Sequence, residues 1–318
     1  MAGSVNILNI GTRILLRDTM DQYVRTLGDY KTHYASTMGN ALKSLATPGS
    51  TQIIISEIEY ADGSAFRLLK EMAWSQETSD IYIILAIEES RKEVIALAEE
   101  MEVHSILAKP FAAADLKLQI ERYQAWKELP KQPWQLLIRE AMLAYKEKRF
   151  RDAEQNLFEA VKSAPDNPLP AFKTAVFYLQ KGDFPIAEKL LKKALELKPT
   201  FIQAISAMGS LYMRKKEYEK AEECFRKAQA VSPMNPDRLL EMVNLQMDWS
   251  MELCKSALRL DPGAIAARFT LGKIYAIEKD YIGTVREVEA VLPFLKPEMK
   301  TEAQTFVALA RKLGSLAK

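Results

Sequence analysis

The chain is poor in the residues that build reactive centres. Its 318 residues include two cysteines and two histidines. Cys224 and Cys254 cannot form a disulfide framework, and they suit a reducing compartment such as the cytoplasm. Both read as small packing residues inside helices. Neither His33 nor His104 stands near a Cys or Asp cluster, so no metal site and no histidine-centred acid–base site is expected. No run approaches the ~20 apolar residues of a membrane span. The opening MAGSVNILNIGTRILLRD lacks a basic stretch ahead of its apolar run, so no secretory leader is expected. The Gly11 turn lacks the further glycines of a phosphate-cradling loop. A net charge of +2 points to no strongly charged partner. The nearest basic cluster, Arg214-Lys215-Lys216, has no interleaved aromatics, so nucleic acid is not an expected ligand.

Charge is present but uneven. Residues 1–130 hold 13 Lys+Arg against 18 Asp+Glu, and the remainder holds 31 against 24. Such a split fits either two halves that dock or two independently solvated surfaces. The patterning also changes. Up to residue 127, short apolar runs alternate with helical patterns. The runs are Val5–Ile10, Gln52–Ile55, Ile81–Leu85 and His104–Leu107, with a weaker one at Thr32–Ala35. The helical patterns span Leu15–Leu27, Ala65–Trp74, Arg91–Met101 and Ala114–Trp126. Alternating β and α units with largely apolar strands predict a doubly wound parallel sheet. Pro130 and Pro133 interrupt the pattern, so residues 128–133 read as a linker between domains at 1–127 and 134–318.

Beyond Pro133 a repeat replaces the strands. Ala153, Ala187 and Ala221 are 34 apart, as are Ala160, Ala194 and Ala228, and Pro165, Pro199 and Pro233. Phe150, Phe184 and Tyr218 keep the same step. This spacing resembles the tetratricopeptide (TPR) repeat, an all-α solenoid of helical hairpins. Small residues let the two helices approach, and the proline ends the second one. About five hairpins are expected. The fourth is shortened, since only 29 residues separate Pro233 from Pro262, with the loss near Met247-Asp248-Trp249. The fifth keeps Leu271, Gly272, Tyr275, Asp280 and Tyr281, with Thr284 in place of an alanine. Lys300–Leu316 reads as a capping helix.

The first half resembles the receiver domain of bacterial response regulators, a flavodoxin-like α/β fold. The strand order, the Asp62-Gly63 turn and Ala108-Lys109-Pro110-Phe111 carry the likeness. The resemblance places the family's acidic, Mg²⁺-holding pair at Gly11 and Thr12. It places the phosphoacceptor at Glu57 (or Ser56), the Ser/Thr at Ala86 and the lysine at Lys109. Only the lysine is retained. Mg²⁺ needs carboxylate oxygens that Gly11-Thr12 do not offer, and a transferring phosphoryl group then lacks its charge offset. The expected reading is a phosphorylation-incompetent pseudo-receiver with no cofactor, in which Glu57 and Lys109 either stand as surface residues at the strand edge or pair and imitate an activated state. The resemblance also implies a cis Lys109-Pro110 peptide.

By the same likeness, helix positions 2, 5, 9 and 12 of each repeat line a partner groove. They include Ile138, Met142, Tyr145, Leu169, Phe172, Val176, Leu179, Met213 and Phe269. Arrays that grip a terminal carboxylate carry Lys, Arg and Asn there, and the first two units do not. An amphipathic helix or peptide is the expected occupant, unless the receiver-like half or a second copy covers the apolar positions. The expectation is a non-enzymatic adaptor in bacterial signalling or assembly. The alternatives are a response regulator using Ser56 or Asp62 as acceptor, and a homo-oligomeric scaffold.

Overall fold

The computed structural model describes residues 4–11, 20–24, 26, 29–47, 49–60, 62–72, 80–88 and 92–316. The chain divides into two compact units. One holds residues 1–211 with 224–235, the other 212–223 with 236–318.

The first unit opens with a five-stranded parallel sheet: β1 (Val5–Ile10), β2 (Tyr30–Ala35), β3 (Ile53–Ser56), β4 (Tyr82–Ile87) and β5 (Ser105–Ala108). The order is β2-β1-β3-β4-β5, the flavodoxin-like doubly wound arrangement. Its side chains alternate between two cores, as strand geometry dictates. Leu8, Ile10, Ile54, Ile83 and Leu85 face one side. There they meet α1 (Met38–Leu45), α2 (Ala65–Met72) and α3 (Lys92–Glu100). Ile7, Ile53, Ile55, Tyr82 and Ile84 face the other, against Met20, Val24 and α4 (Ala113–Glu128). Each fully buried Ile or Leu contributes about 1.5–3 kcal/mol, so this double layer dominates the half's stability. Met20–Val24 is helical; the rest of the predicted helix at 15–27 lies almost wholly outside the described residues, as does Thr12. The Lys109-Pro110 peptide is cis.

After α4 the elements are helices: α5 (Pro133–Lys146), α6 (Phe150–Ser163), α7 (Pro168–Lys181), α8 (Phe184–Leu197), α9 (Ile202–Arg214) and α10 (Tyr218–Val231). Proline starts α5 and α7, where its missing N–H costs nothing. The first helix of each repeat stops at a left-handed residue: Lys148 (φ 60°), Gly182 (φ 83°) and Lys216 (φ 60°), again 34 apart. The next N–H then reaches back five residues: Arg149 to Ala144 O at 2.7 Å, Asp183 to Tyr178 O and Glu217 to Tyr212 O at 2.9 Å. This is a Schellman stop, and it frees the chain to reverse. The returning helix seats close. Ala141, Ala153, Ala160, Ala175, Ala187 and Ala194 are at most 2% exposed. At Gly209 a Cβ would fall 2.7 Å from the Phe225 ring, so glycine is required there.

The second unit contains α11 (Pro236–Leu260), α12 (Ile265–Ile277), α13 (Tyr281–Glu289) and α14 (Pro297–Leu316). The α12–α13 turn repeats the stop, with Lys279 at φ 63° and Asp280 N to Tyr275 O at 2.9 Å. Thr284 is fully buried and donates to Asp280 O, which explains its acceptance where alanine was expected. α14 packs Ala303 and Val307 on Val288. The fourth repeat corrects the sequence reading. It is not a shortened hairpin but one continuous helix of 25 residues. The missing residues are those of the turn, and no Gly or Pro interrupts 237–260. The left-handed residue of the other repeats would fall at Ser250, which is helical.

His104 sits in an aromatic nest with Tyr82 and Trp126, ring centroids 4.8 and 4.9 Å away, and its Nδ1 accepts from Ile83 N at 3.1 Å. Burial holds the imidazole below its ordinary 6.5, against the pull of Glu102. The unfolded chain takes up the proton first. Stability from the neutral ring is therefore present above pH 6.5 and is lost as pH falls through the lower folded value. Thermal melts across this range are expected to show a steeper acid loss for wild type than for His104→Gln, which keeps an acceptor but cannot titrate; parallel slopes would exclude the assignment.

Candidate functional site

Ligands of doubly wound sheets bind beyond the carboxyl ends of the strands. Here that edge carries Gly11, Glu57 and Lys109, each one residue past its strand. The ladder holds all three backbones. Gly11 N donates to Ala35 O (3.1 Å), Glu57 N to Ile10 O (2.9 Å) and Lys109 N to Ile87 O (2.7 Å). Glu57 and Lys109 form a side-chain ion pair, and the two side chains are 9% and 11% exposed. The glutamate reaches Lys109 because Gly11 leaves room. A Cβ at Gly11 would lie 2.5 Å from Glu57 Oε2 and 2.8 Å from its Cδ. The place that the receiver resemblance assigns to a metal-holding carboxylate is thus taken by Glu57 itself. Ala86 lies within β4 and is buried.

The two alternative acceptors are engaged. Ser56 is buried, donates to Glu57 O at 2.7 Å and bonds the Tyr60 hydroxyl. Burial, with Glu57 and Asp62 nearby, pushes the Tyr60 phenol up to about 12 against the opposing Ser56 bond, so it stays protonated at neutral pH. Asp62 accepts from Met38 N (2.6 Å) and Gly39 N (3.1 Å) at the start of α1. Those bonds hold its carboxyl below the usual range, as expected at a helix N-terminus. Among the described residues no group of three or more His, Cys, Asp and Glu is placed to hold a metal.

The repeat surface divides the sequence-predicted groove residues. Met142 and Tyr145 come together in a cavity of about 280 Å³, with Ala141, Leu157, Lys173 and Phe177 among its walls. Tyr145 stacks edge-on with Phe150 and Phe177, at 5.5 and 5.4 Å. Ile138, Phe172 and Leu179 are at most 9% exposed. Phe172 packs on Phe201, in the connection between repeats, at 5.1 Å. Leu169 and Val176 are half-buried. Met213 and Phe269 belong to the second unit, where Phe269 lines another cavity with Lys273 and Phe306. The sequence did not single out Lys173 or Phe177. Their offsets, one residue past the canonical lining positions, were the available signal.

The receiver-like half also touches the repeats of its own unit. Glu102 pairs with Lys173 at 2.8 Å. Glu100 O accepts from Gln203 Nε2 at 2.8 Å, and its carboxylate from Asn235 Nδ2 at 2.7 Å. Asp80 takes Lys131 and Arg139. Burial works against the Asp80 carboxylate, yet those two cations hold it below the usual range. In each of these ion pairs the acid comes from before residue 130 and the base from after it.

The close Gly11–Glu57 approach makes the two positions interdependent. Gly11→Ala alone is expected to lower stability by about 1–3 kcal/mol through overpacking. In a Glu57→Ala background the same change is expected to be nearly neutral. Urea unfolding of the four-member cycle measures the difference; additive effects would refute the interdependence.

Two family models described as tetratricopeptide repeat match the chain, at residues 138–200 and 178–243. Hsp70-Hsp90 organizing protein 2 of Arabidopsis thaliana is 33% identical over 95 residues, which is 30% of this chain and 17% of that protein. Hsp70-Hsp90 organizing protein 1 of Glycine max is 30% identical over 95 residues, with the same coverage. The chain thus spans about a sixth of the curated relatives it matches. Among solved structures, the chemotaxis response regulator CheY4 of Vibrio cholerae aligns at TM-score 0.35 and 18% identity, over 38% of this chain and 98% of that one. The Arabidopsis OM64 TPR domain aligns at 0.34 and 23%, over 36% and 94%. Residues 138–243 are tetratricopeptide repeats, and they follow a doubly wound parallel sheet of flavodoxin-like order.

Proposed function

We propose that the chain is a non-enzymatic adaptor that holds a partner protein on its repeats. The observation that carries this reading is the cavity at Met142, Tyr145 and Phe177, whose walls are mostly apolar. A space of this kind suits the buried side chain of an amphipathic helix or peptide, and Met142 can adapt its shape to it. In this reading the half-buried Leu169 and Val176 extend the same lining. Ile138, Phe172 and Leu179 are buried and stand outside the proposed lining. The curated relatives are named for organizing Hsp70 and Hsp90, which favours an assembly role. A chaperone-tail grip is not carried over, because Ile138 and Met142 stand where a terminal carboxylate needs cations or amides.

In this reading the receiver-like half performs no phosphoryl transfer. Gly11 supplies no carboxylate for Mg²⁺, Ala86 no hydroxyl, and the Glu57–Lys109 pair fills the edge. The half acts as a docking body, and its acids at Asp80 and Glu102 bind bases of the repeats.

Two measurements test the proposal. Incubation with Mg²⁺ and acetyl phosphate is expected to leave the intact mass unchanged; a gain of one phosphoryl group would overturn the incompetence. Affinity capture with wild type is expected to retain a protein that Met142→Glu and Tyr145→Ala, both still helical by circular dichroism, hold at least about tenfold more weakly, a loss of roughly 1.4 kcal/mol. Equal capture by all three would remove the cavity from the function.

A further inference from the structure

α11 stands where every neighbouring repeat has a hairpin, and it carries both halves of the missing contact on one rod. Counting back from Val243 in steps of 34 gives Gly209, Ala175 and Ala141. All three are buried beneath the returning helix of their repeat, whereas Val243 is 55% exposed. The returning helix shows the same contrast. Ala160, Ala194 and Ala228, each five residues before its proline, are fully buried. Their counterpart Ala257 is only half-buried. Fusing the two helices leaves each face without the other.

One row of residues along the helix, none of them fully buried, keeps a strict spacing. Leu239, Val243, Gln246, Ser250, Leu253, Ala257 and Leu260 alternate steps of four and three, the spacing of a seam that packs on another helix. Leu239, Leu253 and Leu260 are 45%, 59% and 90% exposed. The seam is also self-complementary. In an antiparallel two-fold pair, Val243 of one helix falls opposite Leu253 of the other, Leu239 opposite Ala257, and Gln246 opposite Ser250. The same register brings Glu241 toward Lys255. It lies within one residue of the register in which Gly209 meets Phe225, so it restores, between copies, the crossing that the neighbouring repeat makes within itself.

We propose that two copies of this chain exchange the fourth hairpin: the N-terminal half of α11 packs on the C-terminal half of α11 from a second copy. A chain that has lost the residues of the turn cannot close that hairpin alone, and exchange between identical copies is the low-cost way to fill both faces. The interface is isologous, and it does not rest on the cavity at Met142 and Tyr145.

Light scattering of the full chain across a concentration series is expected to reach twice the 36.0 kDa chain mass. Val243→Glu with Leu253→Glu is expected to give a monomer. Inserting a glycine-containing five-residue turn after Met247 is expected to do the same with helicity intact, because the hairpin can then close within one chain. The deciding arm is covalent and gentle on folding. In a background of Cys224→Ser and Cys254→Ser, Val243→Cys and Leu253→Cys chains are mixed and oxidised. Within one helix these positions lie about 15 Å apart, beyond disulfide reach. A 243–253 disulfide between the two chains supports the exchange. A monomeric wild type, or a dimer that forms no such bond, overturns it.

Discussion

Close approach of two helices is the constraint on which the repeats depend. A hairpin buries alanine and glycine at its crossing because larger residues would hold the helices apart. The crossing exists only if the first helix stops and the chain reverses. Lys148, Gly182, Lys216 and Lys279 supply that stop in a left-handed conformation. Three of the four are lysines, which adopt it at a cost of roughly 1–2 kcal/mol; the returned packing offsets that cost. Where the turn is deleted, the same helical propensity that builds each half runs straight through. Residues 237–260 then form one rod, because nothing in them prefers to stop.

A second constraint governs the sheet edge. Only Gly11 lets the Glu57 carboxylate lie over the end of β1, and only the longer stem of glutamate carries it to Lys109. The ion pair is nearly buried, so removing one partner alone would strand a charge, at about 3–5 kcal/mol. The three residues therefore act as a set. A receiver-type pocket needs acidic oxygens and space at the same place, and this set supplies neither at position 11. What was a reaction site by resemblance is, in the proposed reading, a rigid corner.

The sequence conveyed most of the architecture, because two periodicities carry it. Apolar strand runs gave the sheet, with boundaries shifted by one or two residues, and the 34-residue step gave the hairpins. The Glu57–Lys109 pair was legible because both positions follow strands that must be adjacent in a doubly wound sheet. The continuous α11 was not legible. A deficit of five residues says that something is missing, but it does not say whether a turn is shortened or abolished. That depends on whether any left-handed stop survives, a property of φ rather than of spacing. The burial of Ile138 and Phe172 was hidden for a related reason. Position in a repeat assigns a face, but Phe201, which covers Phe172, lies in the connection between repeats, where the period is weakest.

The uneven charge draws these parts together. Surface ion pairs contribute little singly, about 0–1 kcal/mol, so Asp80 and Glu102 do not by themselves hold the receiver-like half to the repeats. Their value is in placement. Lys173 lines the apolar cavity and is also the partner of Glu102. A ligand that brings its own carboxylate to Lys173 would compete with Glu102, while one that fills only the apolar walls would not. In the proposed reading the acidic half thus sets a condition on what the cavity accepts: an apolar side chain requires no change there, and an acidic neighbour is favoured only if the Glu102 corner gives way.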